Sequence, residues 1–167
     1  MYRIIKNELK MWCLSFLSAI PGQIGVYLRN TFIPYTYGSN VTIWDGVKLE
    51  GYKNLRIGSN TSINRNSIIH AGGGIDIGSN VLIGPSVIIY SQNHQYMDGI
   101  KLVYEQGYDY KKTIIEDDVW IASGCIILPG ITIKKGSVIG AGSIVTKNTD
   151  EYGIYVGNPA KKISSRR

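Results

Sequence analysis

Histidine, cysteine and phenylalanine are each present only twice in the 167 residues of this chain. Each scarcity removes a class of function. Cys13 and Cys125 lie far apart and fit no metal-binding or redox spacing, so a disulfide framework is not expected and a reducing cytoplasm is the expected compartment. His70 and His94, 24 positions apart, cannot supply the close imidazole cluster of a three-histidine zinc site, and no metal is expected. The net charge of +6 comes without an arginine-rich arm carrying stacking aromatics, so nucleic acid is not an expected partner. Apolar runs are short. The longest of note, "MWCLSFLSAI", follows early lysines much as a secretory signal would, yet is too short to span a bilayer.

Glycine (20) and tyrosine (12), by contrast, are abundant, and the length suits one domain with a real core. Residues 1–38 read as a helical and extended N-terminal segment. At helical spacing Ile4, Ile5, Leu9, Trp12, Phe16 and Leu17 share a broad face, with Arg3, Lys6 and Lys10 largely off it, and Pro21-Gly22 ends the pattern. This amphipathic helix is expected to pack on its own domain or on a sister subunit. The alternative is weak contact with a membrane surface, which would make a cytoplasmic protein peripheral to the inner membrane face. At the other end Lys161, Lys162, Arg166 and Arg167 gather positive charge, and 164–167 reads as a basic tail, either solvated or facing an anionic ligand or surface.

Between these ends, over 39–163, runs a repeat of six. One column reads Ile43, Leu49, Ile57, Ile63, Ile69, Ile77, Ile83, Ile89, then Ile115, Ile121, Ile127, Ile133, Ile139 and Val145. Two positions earlier a second column holds small or β-branched residues: Val41, Val47, Leu55, Thr61, Ser67, Ile75, Val81, Val87, then Thr113, Val119, Cys125, Ile131, Ser137 and Ser143. A period of six fits neither an amphipathic helix nor a long alternating strand. It fits very short parallel strands, each giving two inward side chains, with three strands closing one turn of a solenoid. The fold class is therefore all-β, a parallel β-helix of hexapeptide repeats. Cys125 falls in the small column and is read as packing. Gly58, Gly78, Gly84 and Gly140 follow the aliphatic column, where a sharp turn is expected.

The hexads, together with "IGSNVLIGPSVIIYSQNH", "IIEDDVWIASGCIILPGITIKKGSVIGAGSIVTK" and "VGNPAKKI", resemble the hexapeptide-repeat acyltransferases, above all the galactoside, maltose and xenobiotic O-acetyltransferases and their relatives in surface-polysaccharide synthesis. The resemblance implies a left-handed β-helix assembled as a homotrimer with active sites between neighbours. It also implies acetyl-CoA as donor and a sugar hydroxyl as acceptor, in a bacterial O-antigen or capsule. An amino-sugar N-acetyltransferase and a non-catalytic scaffold are the alternatives.

The ladder breaks within "IIYSQNHQYMDG", where the next hexad would put Gln95 into the aliphatic column. A loop over about 93–112, rich in tyrosine, is expected to leave the coil there and to serve function. The resemblance puts the family's catalytic histidine at His94, as general base for a direct transfer. It implies acceptor contacts from Asn66, which is otherwise a corner residue, and a wall beside the acetyl group from Trp120, which otherwise caps the coil. CoA contacts map onto Ser123, Ala141, Thr146, Lys147 and Lys161. Ala122 stands where the family has glycine, Lys161 where the sugar enzymes have arginine, and Ser164 where they have a further basic residue. Nucleotide contacts are thus expected to shift toward Lys162, Arg166 or Arg167. His70 has no family role and is read as structural, at a corner able to face the acceptor.

Overall fold

A computed structural model describes residues 2–166, with side chains from Ile4 onward; Arg167 and the side chain of Arg3 lie outside the described residues. Short parallel strands stack into a left-handed solenoid of about six turns. One face stacks Thr36–Tyr37, Leu55–Ile57, Ile75–Ile77, Thr113–Ile115 and Thr132–Ile133. A second stacks Thr42–Ile43, Ser62–Ile63, Leu82–Ile83, Trp120–Ile121, Val138–Ile139 and Gly153–Val156. The third stacks Lys48–Glu50, Ile68–His70, Ile88–Tyr90, Ile126–Ile127 and Ile144–Val145.

The register is the repeat made visible. Ile43, Ile63, Ile83, Ile121 and Ile139 stand directly above one another, as do Leu49, Ile69, Ile89, Ile127 and Val145. Every member of both columns is buried except Leu49, which is half-buried. Hydroxyls in the small column are satisfied by carbonyls at the corners: Thr61 Oγ1 donates to Gly78 O (2.9 Å) and Ser67 Oγ to Gly84 O (3.0 Å).

The turn glycines behave differently from expectation. The left-handed corner falls just before the small-column residue on every hexad except those of Leu55 and Thr113, as at Asn60 (φ 56°) and Asn80 (φ 59°). The glycines after the aliphatic column are not in that conformation; they are demanded by close approach. A Cβ on Gly58 would come within 2.5 Å of the Gly78 carbonyl carbon on the next coil.

The N-terminal segment forms two helices, α1 (Tyr2–Ala19) and an unanticipated α2 (Gly22–Phe32). Within the coils, N–H groups of one turn donate to carbonyls of the next, so the first turn is left with carbonyls that no coil serves. α2 supplies the donors. Arg29 Nε donates to Ile43 O (2.9 Å) and Asn30 Nδ2 to Val41 O (2.8 Å), while Arg29 Nη1 reaches Leu17 O and Ile20 O at the end of α1 (both 2.8 Å). Arg29 is completely buried by this clasp.

Of the apolar face of α1 only Leu17 packs on its own domain. Leu14 and Leu17 touch the core and Lys10 Nζ sits 5.0 Å from the Tyr52 ring centre, which turns Ile4, Ile5, Leu9, Trp12 and Phe16 outward; Trp12 is 74 % exposed. Among the described residues no helix is long and apolar enough to cross a membrane. The basic C-terminal segment is held as far as Arg166: Lys161–Ser165 runs antiparallel to Gly153–Val156, and Arg166 Nη1 holds Asp118 Oδ2 at 3.1 Å.

Candidate active site

The chain leaves the coil at Ser91, whose hydroxyl is buried and donates to His70 O (2.8 Å). It returns at Thr113, in register with Ile75 as if nothing had intervened. The segment between is a hairpin rather than a structureless loop. Gln92–His94 pairs antiparallel with Tyr108–Tyr110, and a short helix, α3 (Val103–Gln106), lies beyond it. Gln106 Nε2 ties the tip together by donating to the carbonyls of Asp98 and Lys101 (both 2.9 Å).

His94 stands opposite Tyr108 in this hairpin, their ring centres 4.3 Å apart. Its imidazole has no hydrogen-bonding side-chain partner among the described residues, so ring packing alone orients it in the single chain. Two cavities meet at this residue. One, of about 690 Å³, runs past Tyr96, Asp109 and Lys111 to Thr146. The other, of about 460 Å³, is lined by His70, Tyr90, Gln92 and Tyr108. Asn93, His94, Leu128 and Pro129 belong to both. An imidazole on the shared wall of two cavities can exchange a proton with molecules in either one.

The remaining predicted residues fall into separate places. Trp120, Ser123 and Ala141 come together in a groove of about 590 Å³ with Leu82 and Pro85, away from His94. Thr146 alone of the predicted CoA residues lines a cavity with His94. Lys147 is exposed, and Lys161 begins the terminal strand. Asn66 is exposed at a left-handed corner with its amide over Gly46, and lines neither cavity at His94. Lys162 and Arg166, the expected stand-ins for nucleotide contacts, are engaged with Asp150 (2.9 Å) and Asp118 (3.1 Å). Cys125 is fully buried, with Sγ 3.1 Å from Gly140 O, and burial pushes its thiol pKa up, away from the thiolate.

Sequence reasoning passed over Lys111, which lines the larger cavity and pairs with Asp109 at 2.8 Å, and Glu50, whose Oε2 lies 2.7 Å from His70 Nε2. Alternation could have placed Lys111 only if the hairpin register were known; Glu50 and His70 are 20 apart, one coil, and that spacing was visible.

Residues 112–147 match the family model of the bacterial transferase hexapeptide (six repeats). A chloramphenicol acetyltransferase of Klebsiella aerogenes is 54% identical over 54 residues, covering 32% of this chain and 26% of that protein. The chain spans only about a quarter to about half the length of the first curated relatives it matches. Solved structures agree over far more of it. A galactoside acetyltransferase in complex with coenzyme A is 30% identical, with 97% of this chain and 82% of that chain covered and a TM-score of 0.85. A hexapeptide-repeat acetyltransferase of Vibrio cholerae O1 biovar eltor, complexed with acetyl coenzyme A, is 29% identical over 92% of this chain and 84% of that one, at a TM-score of 0.82. Ladder, register and whole-chain similarity together make this chain a member of the hexapeptide-repeat acetyltransferase family.

Proposed function

We propose that the protein is an acetyl-CoA-dependent O-acetyltransferase acting on a sugar hydroxyl, in bacterial surface-polysaccharide synthesis, with His94 as general base. The observation that carries this reading is the position of His94 on the wall between two cavities. The cavity reaching Thr146 takes the thioester end of acetyl-CoA; the cavity of His70, Tyr90 and Tyr108 takes the acceptor. Relatives solved with coenzyme A and acetyl coenzyme A support the donor, and the galactoside acetyltransferase supports the acceptor class.

Neutral imidazole removes the hydroxyl proton as the acceptor oxygen attacks the thioester carbonyl carbon. The tetrahedral intermediate collapses, the C–S bond breaks, and the proton passes from His94 to the departing sulfur. No acyl-enzyme is needed, and Cys125 cannot form one from inside the core. A backbone N–H near Ser123 is the proposed oxyanion donor. Lys147 and Lys161 meet CoA phosphates, and Asn66 contacts the acceptor.

A single chain holds these groups apart, with Trp120, Ser123 and Ala141 in one groove and His94 in another. We therefore propose a homotrimer in which the His94 side of one subunit meets the Trp120 groove of its neighbour.

The test is acetyl-CoA consumption across methyl β-galactoside, glucosamine and chloramphenicol, with mass spectrometry of the products. O-acetylation of the sugar is expected, and His94→Ala should lower turnover at least ~10²-fold, the lower end of base catalysis. Near-wild-type turnover in that variant overturns the assignment of His94. Acetylation confined to the amine would make the protein an N-acetyltransferase, and failure to consume acetyl-CoA with any acceptor would leave a scaffold.

A further inference from the structure

Glu50, His70 and Tyr90 each end a third-face strand and stand in register on three consecutive coils. Coils are about 4.8 Å apart, so the row from Glu50 to Tyr90 spans roughly 10 Å. Leu128 follows on the next coil, where it joins the wall shared with His94. His70, Tyr90 and Leu128 of this row line the smaller cavity, and Glu50 stands one coil beyond His70, outside that lining.

That carboxylate is built in rather than merely exposed. Glu50 Oε2 lies 2.7 Å from His70 Nε2, within ion-pairing distance. His70 Nδ1 is buried without a hydrogen-bond partner, and the ring packs against Tyr90 with centres 5.9 Å apart. Among the described residues the imidazole's one polar contact is with Glu50. Glu50 itself remains 55 % exposed, with its second oxygen open.

We infer that Glu50, held by His70, is a distal acceptor subsite that selects an uncharged, polyhydroxylated ring and disfavours an anionic one. The open oxygen accepts hydrogen bonds from ring hydroxyls, while Tyr90 and Tyr108 pack against the C–H face of the ring. A carboxylate on the acceptor would meet Glu50 as a like charge. The inference rests on the acetyltransferase reading above. Within it, His70 is a positioning residue and His94 the catalytic one.

Two probes differing in one group test it: methyl β-galactoside and methyl β-galacturonide, assayed by acetyl-CoA consumption. Wild type should favour the galactoside. Glu50→Gln should raise the galactoside KM about tenfold to a hundredfold, the loss typical of a hydrogen bond to a charged group, and should narrow the preference over the galacturonide. The KM for acetyl-CoA should not move, and kcat should change little. His70→Gln should do the same to a lesser degree, whereas Glu50→Asp should recover part of the preference. An unchanged galactoside KM and unchanged preference in a folded Glu50→Gln, with transfer intact, overturns the subsite and leaves the acetyltransferase reading standing. If wild type transfers acetyl to neither probe nor to any other sugar, the acetyltransferase reading itself falls, and the subsite with it.

Discussion

Ile127→Ala tests the column at a fully buried position. Ile127 is fully buried, with Ile89 in register on one side and Val145 on the other. Truncation removes three carbons, worth about 2.4 kcal/mol at roughly 0.8 kcal/mol per buried methylene. A cavity contribution adds to this wherever the neighbours cannot close the gap. Here they cannot. Ile126 N–H donates to Ser143 O and Ile88 N–H to Cys125 O, both at 2.9 Å, so the backbone ladder holds the coils apart whatever fills the space between. The expected loss is therefore about 4 kcal/mol, in the upper half of the usual range for such truncations. Leu49→Ala removes the same number of carbons from the half-buried end of the column and should cost about 2 kcal/mol or less, toward the lower limit. Guanidinium denaturation of both variants at one fixed protein concentration gives the comparison. Equal losses, or a loss below about 2 kcal/mol at Ile127, would refute a column held at fixed spacing.

Three further outcomes are expected. Iodoacetamide at pH 8.5 should label exposed Cys13 and spare Cys125, whose thiol pKa burial raises; Cys125→Ala should keep its transfer activity, and loss of transfer in a folded protein would restore the thiol as a nucleophile. Glu116 is held below the usual carboxylate range, chiefly by its 2.9 Å hydrogen bond from Lys134, so its stabilisation is complete above the ordinary value near ~4.3 and lost as pH falls through the lower folded value. Denaturation midpoints of Glu116→Gln should accordingly fall less steeply than wild type on acidification from pH 5 to pH 3, by less than about 1 kcal/mol because the pair is partly solvated. Lys147→Ala combined with Lys161→Ala should raise the KM for acetyl-CoA with little change in kcat, since charges far from the carbonyl bind ground and transition states alike; a defect seen only with varied acceptor would refute that placement.

The solenoid was legible because its two columns are the core itself: each column position from Val41 to Val145 is buried except half-buried Leu49. The break at His94 was legible for the same reason, since Gln95 would have been the one polar intruder in an aliphatic stack. Other features lack a periodic signature. Nothing in "GQIGVYLRNTF" announces that Arg29 will be buried, because its partners are backbone carbonyls of residues remote in sequence. The apolar stripe of α1 is visible in the sequence, but pattern alone does not say which side a helix turns to its own domain; Leu14 and Lys10, off the stripe, face it together with Leu17 at the stripe's end. The glycines after the aliphatic column were noticed for the wrong cause, since steric contact between coils is invisible in a one-dimensional pattern. The split of Ser123 and Ala141 from Thr146 likewise depends on which edge of a three-sided prism each residue occupies.

The hairpin at His94 is spliced into a seam that closes without it. Its two ends meet where Lys111 N–H donates to Ser91 O at 2.9 Å, and Thr113 resumes opposite Ile75. Lengthening or rebuilding everything between those ends costs the solenoid little, because loop-closure entropy grows only logarithmically with length. The scaffold and the insert can therefore vary separately. Insertions and deletions that would wreck a hexad are tolerable at this seam beyond His94, while the ladder stays as it is.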